Sequence, residues 1–144
     1  MKTGKIFLTC VSFALLIVSL VLLGSCEKGS GAVTPDAAAL LKSGTWKVKT
    51  VTVDGVDKLS LFTGLTITYS ATSFNATNGE PVWPASGTWN LNLDGTIITR
   101  GDGLNVAIEN ISETSLGLSL AWSKTTFGSR TVSVVGKHVF TFRK

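Results

Sequence analysis

The sequence predicts an all-β domain: eight or nine short antiparallel strands, forming a barrel or a sandwich, behind one short helix. Three observations carry this. Short runs rich in Val, Ile, Thr and aromatic residues alternate with the turn signals Asp54-Gly55, Asn78-Gly79, Asp94-Gly95 and Gly101-Asp102-Gly103. Several runs alternate apolar and polar residues with period two, the pattern of a sheet with one buried and one wet face. Past residue 34 a helix signal appears once, at Thr34-Pro35-Asp36.

The chain opens with Lys2 and Lys5, an apolar run from Ile6 to Leu23, and then Gly24-Ser25-Cys26. A basic start, an apolar stretch and small residues at a cut site describe a secretory signal peptide over residues 1–25. The apolar run approaches the roughly 20 residues of a membrane-spanning helix, but its ending argues for cleavage. Leu23-Gly24-Ser25-Cys26 resembles a bacterial lipobox, which implies that Cys26 is lipidated and the chain cut before it. The form Leu-Gly-Ser-Cys-Glu-Lys is similar to lipoproteins of the Bacteroidetes type. Residues 26–34 are small, polar and Gly/Ser-rich, the composition of a flexible tether. The expected mature protein is therefore a domain, residues 35–144, held to a membrane through lipid on Cys26. The resemblance implies an outer-membrane location in the cell envelope. No run of acids of the kind linked in that group to surface export follows Cys26, which points to the periplasmic face and leaves the surface face as the alternative.

Cysteine usage limits the chemistry. Of the two cysteines, Cys10 lies in the expected signal and Cys26 carries lipid, which leaves no disulfide, thiolate nucleophile or Cys-based metal site. Without Lys2 and Lys5 the chain keeps 11 of its 13 basic residues against 9 acidic ones, a net charge of +2. The basic residues are scattered apart from Lys47/Lys49 and Arg143/Lys144, with no stripe of the kind that binds nucleic acid.

The elements follow in order. Thr34 reads as a helix N-cap, Pro35 as the first helical residue and Asp36 as a first-turn acid. Ala37 to Leu41 continue the helix and Gly44 stops it. Strand runs then cover Trp46–Val53, Leu65–Tyr69, Ser73–Thr77, Thr88–Leu93, Thr96–Arg100, Leu104–Ile111, Ser115–Trp122 and Arg130–Arg143, the last breaking at Gly136. Asn92 to Ile97 is the strongest local hairpin signal, since Asp-Gly suits the primed turns that match strand twist. Leu116, Leu118, Leu120 and Trp122 share one face, as do Trp89, Leu91 and Leu93. Ser-Gly-Thr-Trp occurs at Ser43–Trp46 and again at Ser86–Trp89, a spacing of 43 residues. Unlike strands follow the two copies, so they do not mark an internal duplication. Each uses Gly to enter a strand and Trp to fill the core.

A short helix, then Gly44-Thr45-Trp46 opening the first strand, then a strand meander resembles the lipocalin superfamily. More closely, the span from Leu40 to Lys144 is similar to lipocalin-like domains of Bacteroidetes lipoproteins. They share the two Gly-Thr-Trp segments, Ile67-Thr-Tyr-Ser70 and the closing Val139-Phe-Thr-Phe142. The resemblance implies an antiparallel, calycin-type barrel of eight to nine strands. It also implies that Trp46 closes one barrel end beneath a basic residue from the last strand, best matched by Arg143. The absence of a helix after the strands departs from the larger lipocalins.

Catalytic chemistry finds little to work with. His138 is the single histidine, on one strand face with Phe140 and Phe142, and no nucleophile motif accompanies it. One His and no thiol cannot close a zinc site. Asp102 reads as a turn residue, and the acid pairs Asp54/Asp57 and Glu109/Glu113 carry no signature of paired acid–base work. The expectation is a non-enzymatic protein that needs no cofactor and no metal. Among the aromatics, Trp46, Trp89 and Trp122 read as core. Trp83 sits in the Pro-flanked segment Glu80-Pro-Val-Trp-Pro84, where it either plugs the barrel mouth or stacks on a ligand. Candidate ligand contacts are Trp83, Tyr69, Phe127 and Arg130. The expected ligand is a small apolar or amphipathic molecule or a glycan, held at the mouth. The alternative is a filled barrel that docks an envelope protein partner.

Overall fold

The computed structural model describes residues 36–124 and 134–144. The expected signal peptide, the tether and Cys26 lie outside the described residues, as do Phe127 and Arg130.

The helix α1 spans Ala37–Leu41. Its N-cap is Asp36, whose Oδ1 accepts from the Ala38 N–H at 3.1 Å. The acid expected inside the first turn therefore serves as the cap, because an aspartate ahead of the turn satisfies an otherwise orphaned donor. Leu40 and Leu41 are buried beneath the helix.

Nine strands follow: β1 Thr45–Val53, β2 Val56–Asp57, β3 Thr66–Tyr69, β4 Ser73–Thr77, β5 Ser86–Leu91, β6 Ile97–Arg100, β7 Asn105–Ile111, β8 Ser115–Trp122 and β9 Gly136–Arg143. Each pairs antiparallel with its neighbour, in the order β2-β1-β3-β4-β5-β6-β7-β8-β9, and β1 pairs with β9. That last pairing closes an eight-stranded barrel and leaves β2 as an extra strand. Closure removes the free sheet edges that would otherwise template aggregation. The β1–β9 seam runs from Lys47 opposite Arg143 to Val53 opposite His138, with a register shift between Val48 and Thr50. A second shift lies between Ile108 and Asn110 in β7. Such bulges bend a strand and sharpen its twist.

Turns match the sequence signals, with one difference. Asp54 and Gly55, given by the sequence as a turn, both have positive φ, 48° and 82°, and form a primed two-residue hairpin to β2, a strand the sequence runs did not include. The β5–β6 turn instead centres on Leu93-Asp94: the Gly95 N–H donates to the Asn92 carbonyl, and Gly95 alone carries the positive φ of 70°. Asn92 fixes this form, its Oδ1 accepting from the N–H groups of Thr96 and Ile97. Leu93 thereby leaves the buried phase of Trp89 and projects fully into solvent, 107% exposed.

Alternation fills the interior. Trp46, Val51, Leu65, Ile67, Ile98, Leu116, Leu118 and Phe140 are completely buried. On β8 the outer face is covered as well: the Ser119 hydroxyl donates to Glu109 Oε1 at 2.5 Å, and Gly117 leaves room for Asn110. A column of rings crosses the core, His138 to Phe140 to Trp83 to Phe74 to Tyr69 to Trp89, with successive centroids 5.3 to 6.2 Å apart. Offset and edge-to-face pairs of this spacing are the favoured aromatic geometries.

The barrel has two unlike ends. One is covered by α1 and carries the β3–β4, β5–β6 and β7–β8 turns. Here the buried Trp46 Nε1 donates to the Leu41 carbonyl at 2.9 Å, tying helix to barrel. The other rim carries the β1–β2 turn, the 3-10 helix Leu59–Phe62, the β4–β5 loop and the β6–β7 turn. Phe62 closes part of that rim, packing edge-on against Phe140 with ring centroids 5.1 Å apart.

Candidate functional site

The cation over Trp46 is Lys144, not Arg143 as expected. Lys144 Nζ lies 5.0 Å from the Trp46 ring and donates to Ser43 Oγ at 2.6 Å, while its stem covers Gly44. The cause is strand phase. His138, Phe140 and Phe142 point inward on β9, so Arg143 points out and the next residue continues the inward phase.

Trp83 is fully buried. The β4–β5 loop turns it inward: the Trp83 N–H donates to the Gly79 carbonyl at 2.8 Å, and Asn78, with φ 55°, donates from Nδ2 to the Gly64 carbonyl. A side chain at Gly79 is excluded, since its Cβ would lie 2.5 Å from the Trp83 Cβ and 2.8 Å from Leu65 Cδ1. The indole sits edge-on to Phe74 and Phe140 at 5.9 and 6.0 Å. Of the two roles open to Trp83 in the sequence, this placement is that of a plug. Tyr69 is also interior, between Phe74 and Trp89. Burial pushes its phenol well above the usual range, with the Arg100 charge pulling weakly the other way. The Tyr69 hydroxyl and Trp83 Nε1 are buried without a hydrogen-bond partner among the described residues.

Sequence reasoning missed the organising group of this rim, Arg100. Its side chain is 1% exposed. Nη1 donates to the Val82 carbonyl at 2.7 Å, and Nε and Nη2 donate to the two Asp102 carboxylate oxygens at 3.2 and 2.5 Å. The guanidinium also lies 5.1 Å from the Trp83 ring and 5.8 Å from Phe74. A buried cation needs such compensation, because desolvation opposes it. Partial burial pushes the Asp102 carboxyl up, but the Arg100 bonds and charge outweigh this and hold it below the usual carboxylate range. The available signal was phase: Arg100 stands two residues after buried Ile98, so it must point inward. Asp102 serves its turn as well, accepting from the Leu104 N–H at 3.2 Å.

Beside this pair an open cleft of about 440 Å³ is lined by Phe74, Pro84, Ser86, Thr88, Arg100 and Asp102. Gly87 of β5 also lines it, and the missing side chain there lets the Phe74 ring pack against the strand: a Cβ would lie 2.7 Å from that ring. A smaller recess of about 120 Å³ lies across Asp102, beside Leu104, Trp122 and Lys124. Polar hydroxyls, one carboxylate and an aromatic edge suit a small amphipathic or polyhydroxyl molecule. The volume falls within the range of roughly 300–1,000 Å³ typical of small-molecule sites.

His138 is completely buried, stacked on Phe140, with Nδ1 3.2 Å from the Gly136 carbonyl and Nε2 unpartnered among the described residues. Desolvation holds its pKa below the ordinary histidine value, while the Gly136 carbonyl and the Asp54 charge oppose the shift. Above about pH 6.5 neither folded nor unfolded His138 is charged, and stability is independent of this group. As pH falls below that value the unfolded state takes up the proton first, so stability declines toward the folded pKa. Chemical denaturation from pH 7.5 to 5 is expected to show this decline, and His138→Phe to abolish it; an unchanged slope in the variant would refute the assignment.

Asp54 and Asp57 are engaged structurally. Asp54 Oδ1 accepts from the Lys137 N–H at 2.9 Å, and Asp57 Oδ1 from the Leu59 N–H at 2.8 Å. Among the described residues no three His, Cys, Asp or Glu side chains converge as a metal site. No protein-family model matches the chain, and neither a curated protein nor a solved structure matches it.

Proposed function

We propose that the protein is a lipid-anchored envelope lipoprotein of the lipocalin-like, Bacteroidetes type. In this reading the barrel binds a small amphipathic ligand or glycan at its rim rather than in its interior. One observation carries the binding role: the cleft of about 440 Å³, where Ser86, Thr88 and the Asp102 carboxylate stand beside an aromatic edge on a rigid barrel. Among the described residues the interior is packed with buried side chains, which argues against a deep ligand chamber, as an eight-stranded barrel is just wide enough to be filled. No enzymatic step belongs to the reading, and it requires no cofactor.

The binding role is tested by native mass spectrometry of the detergent-solubilised protein against a panel of monosaccharides, short oligosaccharides and fatty acids. One class is expected to bind, and Ser86→Trp, which fills the cleft from an exposed position, is expected to abolish binding while the melting temperature holds. Binding that survives Ser86→Trp would place the site elsewhere. The filled core also favours a second reading, a docking module for envelope proteins; no binding across the panel, with in-cell crosslinking to one envelope protein, would select it.

Anchoring rests on the Leu23-Gly24-Ser25-Cys26 sequence. Metabolic labelling with a fatty acid is expected to mark the wild-type chain and to leave Cys26→Ala unlabelled. Equal labelling of both would refute it.

A further inference from the structure

The end covered by α1, opposite the cleft, carries groups that neither the core nor the cleft uses. The chain joins the barrel here, at Asp36, and the start of α1 lies against the β5–β6 turn: a Cβ on Gly95 would lie 3.3 Å from the Ala37 Cβ. At the apex of that turn is Leu93, the most exposed large hydrophobic among the described residues at 107%. Lys42, Lys47, Arg143 and Lys144 are exposed at the same end. Lys47 and Arg143 are register partners across the β1–β9 seam, and neither forms an ion pair among the described residues. Setting two like charges opposite each other on a sheet opposes folding, so the pair is unexplained by the fold. Of the acids at this end, Asp36 and Asp94 stand at the start of α1 and on the β5–β6 turn, and Glu113 stands on the β7–β8 turn beside β9, where Ser115 is the register partner of Arg143 and the Lys144 N–H donates to the Thr114 carbonyl.

We propose that this end is a membrane-docking face. Leu93 enters the interfacial layer, and Lys42, Lys47 and Arg143 meet the phosphates of an anionic lipid surface. The proposal rests on the anchoring reading, and the length of the tether argues for it. The nine residues 27–35 span at most about 30 Å when extended. An anchor at Cys26 therefore holds this end close to the bilayer, where short linkers give effective concentrations in the millimolar range. Contacts too weak to recruit a free protein then suffice to orient a tethered one. Cations near an anionic surface and a single exposed apolar side chain are contacts of that kind.

The test uses the lipidated protein reconstituted in vesicles of mixed phosphatidylcholine and phosphatidylglycerol. With Cys10 removed in the signal and Cys26 acylated, Leu93→Cys offers one free thiol for an environment-sensitive fluorophore. The label at position 93 is expected to shift to the blue and to be quenched by nitroxide-bearing lipid. The same label at Val56→Cys, exposed on the opposite rim, is expected to stay accessible to aqueous iodide. Lys47→Glu with Arg143→Glu is expected to lower lipid quenching at position 93 several-fold without changing the melting temperature. Equal iodide access at 93 and 56, in a protein whose mass shows the lipid, overturns the docking face and leaves anchoring intact. A full-length Cys10→Ser/Cys26→Ala chain, held by its uncut apolar run, separates the two ideas. Quenching at 93 in that chain supports docking on its own, whereas an unlipidated wild-type chain would sink the anchor alone.

Discussion

Replacing Trp83 with Ala is expected to cost about 3–5 kcal/mol of folding stability, the range for deleting a buried aromatic from a core that relaxes only in part. The loss should be large because the indole bridges several layers. It touches Phe74 and Phe140 by ring edges and lies 5.1 Å from the Arg100 guanidinium. Removing it leaves a void beneath the rim and strips the cation of one aromatic face. Trp83→Phe should lose much less. It keeps a ring in the slot and removes an indole N–H that has no partner among the described residues, a group whose burial costs roughly 1–3 kcal/mol. Urea denaturation of the two variants beside wild type checks this. A loss below about 1 kcal/mol for the Ala variant would mean that Trp83 is a removable surface aromatic rather than a plug.

The second large effect concerns Arg100. Arg100→Ala removes three hydrogen bonds and two ring contacts, and it leaves the Val82 carbonyl buried without its donor. Breaking a buried pair from one side typically costs about 3–5 kcal/mol, because it strands the other member. Here the stranded carboxylate, Asp102, is 37% exposed and can be resolvated, so about 2–3 kcal/mol is the expected loss. Asp102→Asn strands the cation instead, and about 1–2 kcal/mol is expected after the same allowance for solvent. The diagnostic is a double-mutant cycle: in an Arg100→Met background, Asp102→Asn should cost almost nothing. Additive losses would refute the coupling. The sign with pH follows from the lowered Asp102 pKa. Its contribution is full above the unfolded carboxylate value of about 3.9 and fades as pH falls toward the lower folded value.

Much of the fold was legible because its signals are local. Period-two runs placed most of the strands, and Asp54-Gly55 declared a turn through two residues that tolerate positive φ. Trp46 and Gly44 marked the start of β1. What stayed open or was missed were features fixed by partners far along the chain. The Pro-flanked loop around Trp83 has no periodicity, and its inward turn depends on Gly79 and on Arg100 holding the Val82 carbonyl. Leu93 continued the apolar phase of Trp89 and Leu91 on paper, but Asn92 captured the backbone N–H groups of Thr96 and Ile97, which puts Leu93 in the turn. Lys144 was passed over for Arg143 although strict alternation from Phe142 pointed to it. The cleft was invisible because its lining comes from separate segments, Phe74, Pro84 to Thr88 and Arg100 to Asp102, which only the folded barrel brings together.

The seam between β1 and β9 also has a mechanical meaning. The N-terminal end of β1 and the C-terminal end of β9 lie at the α1 end, where Lys47 faces Arg143, and the seam runs to His138 near the opposite rim. A load applied at the rim and resisted at Asp36 would therefore pull along the strands. The hydrogen bonds of an antiparallel ladder lie across the strands, so such a pull shears them together instead of peeling them singly. A protein leashed at one end and loaded at the other would be held by its strongest axis.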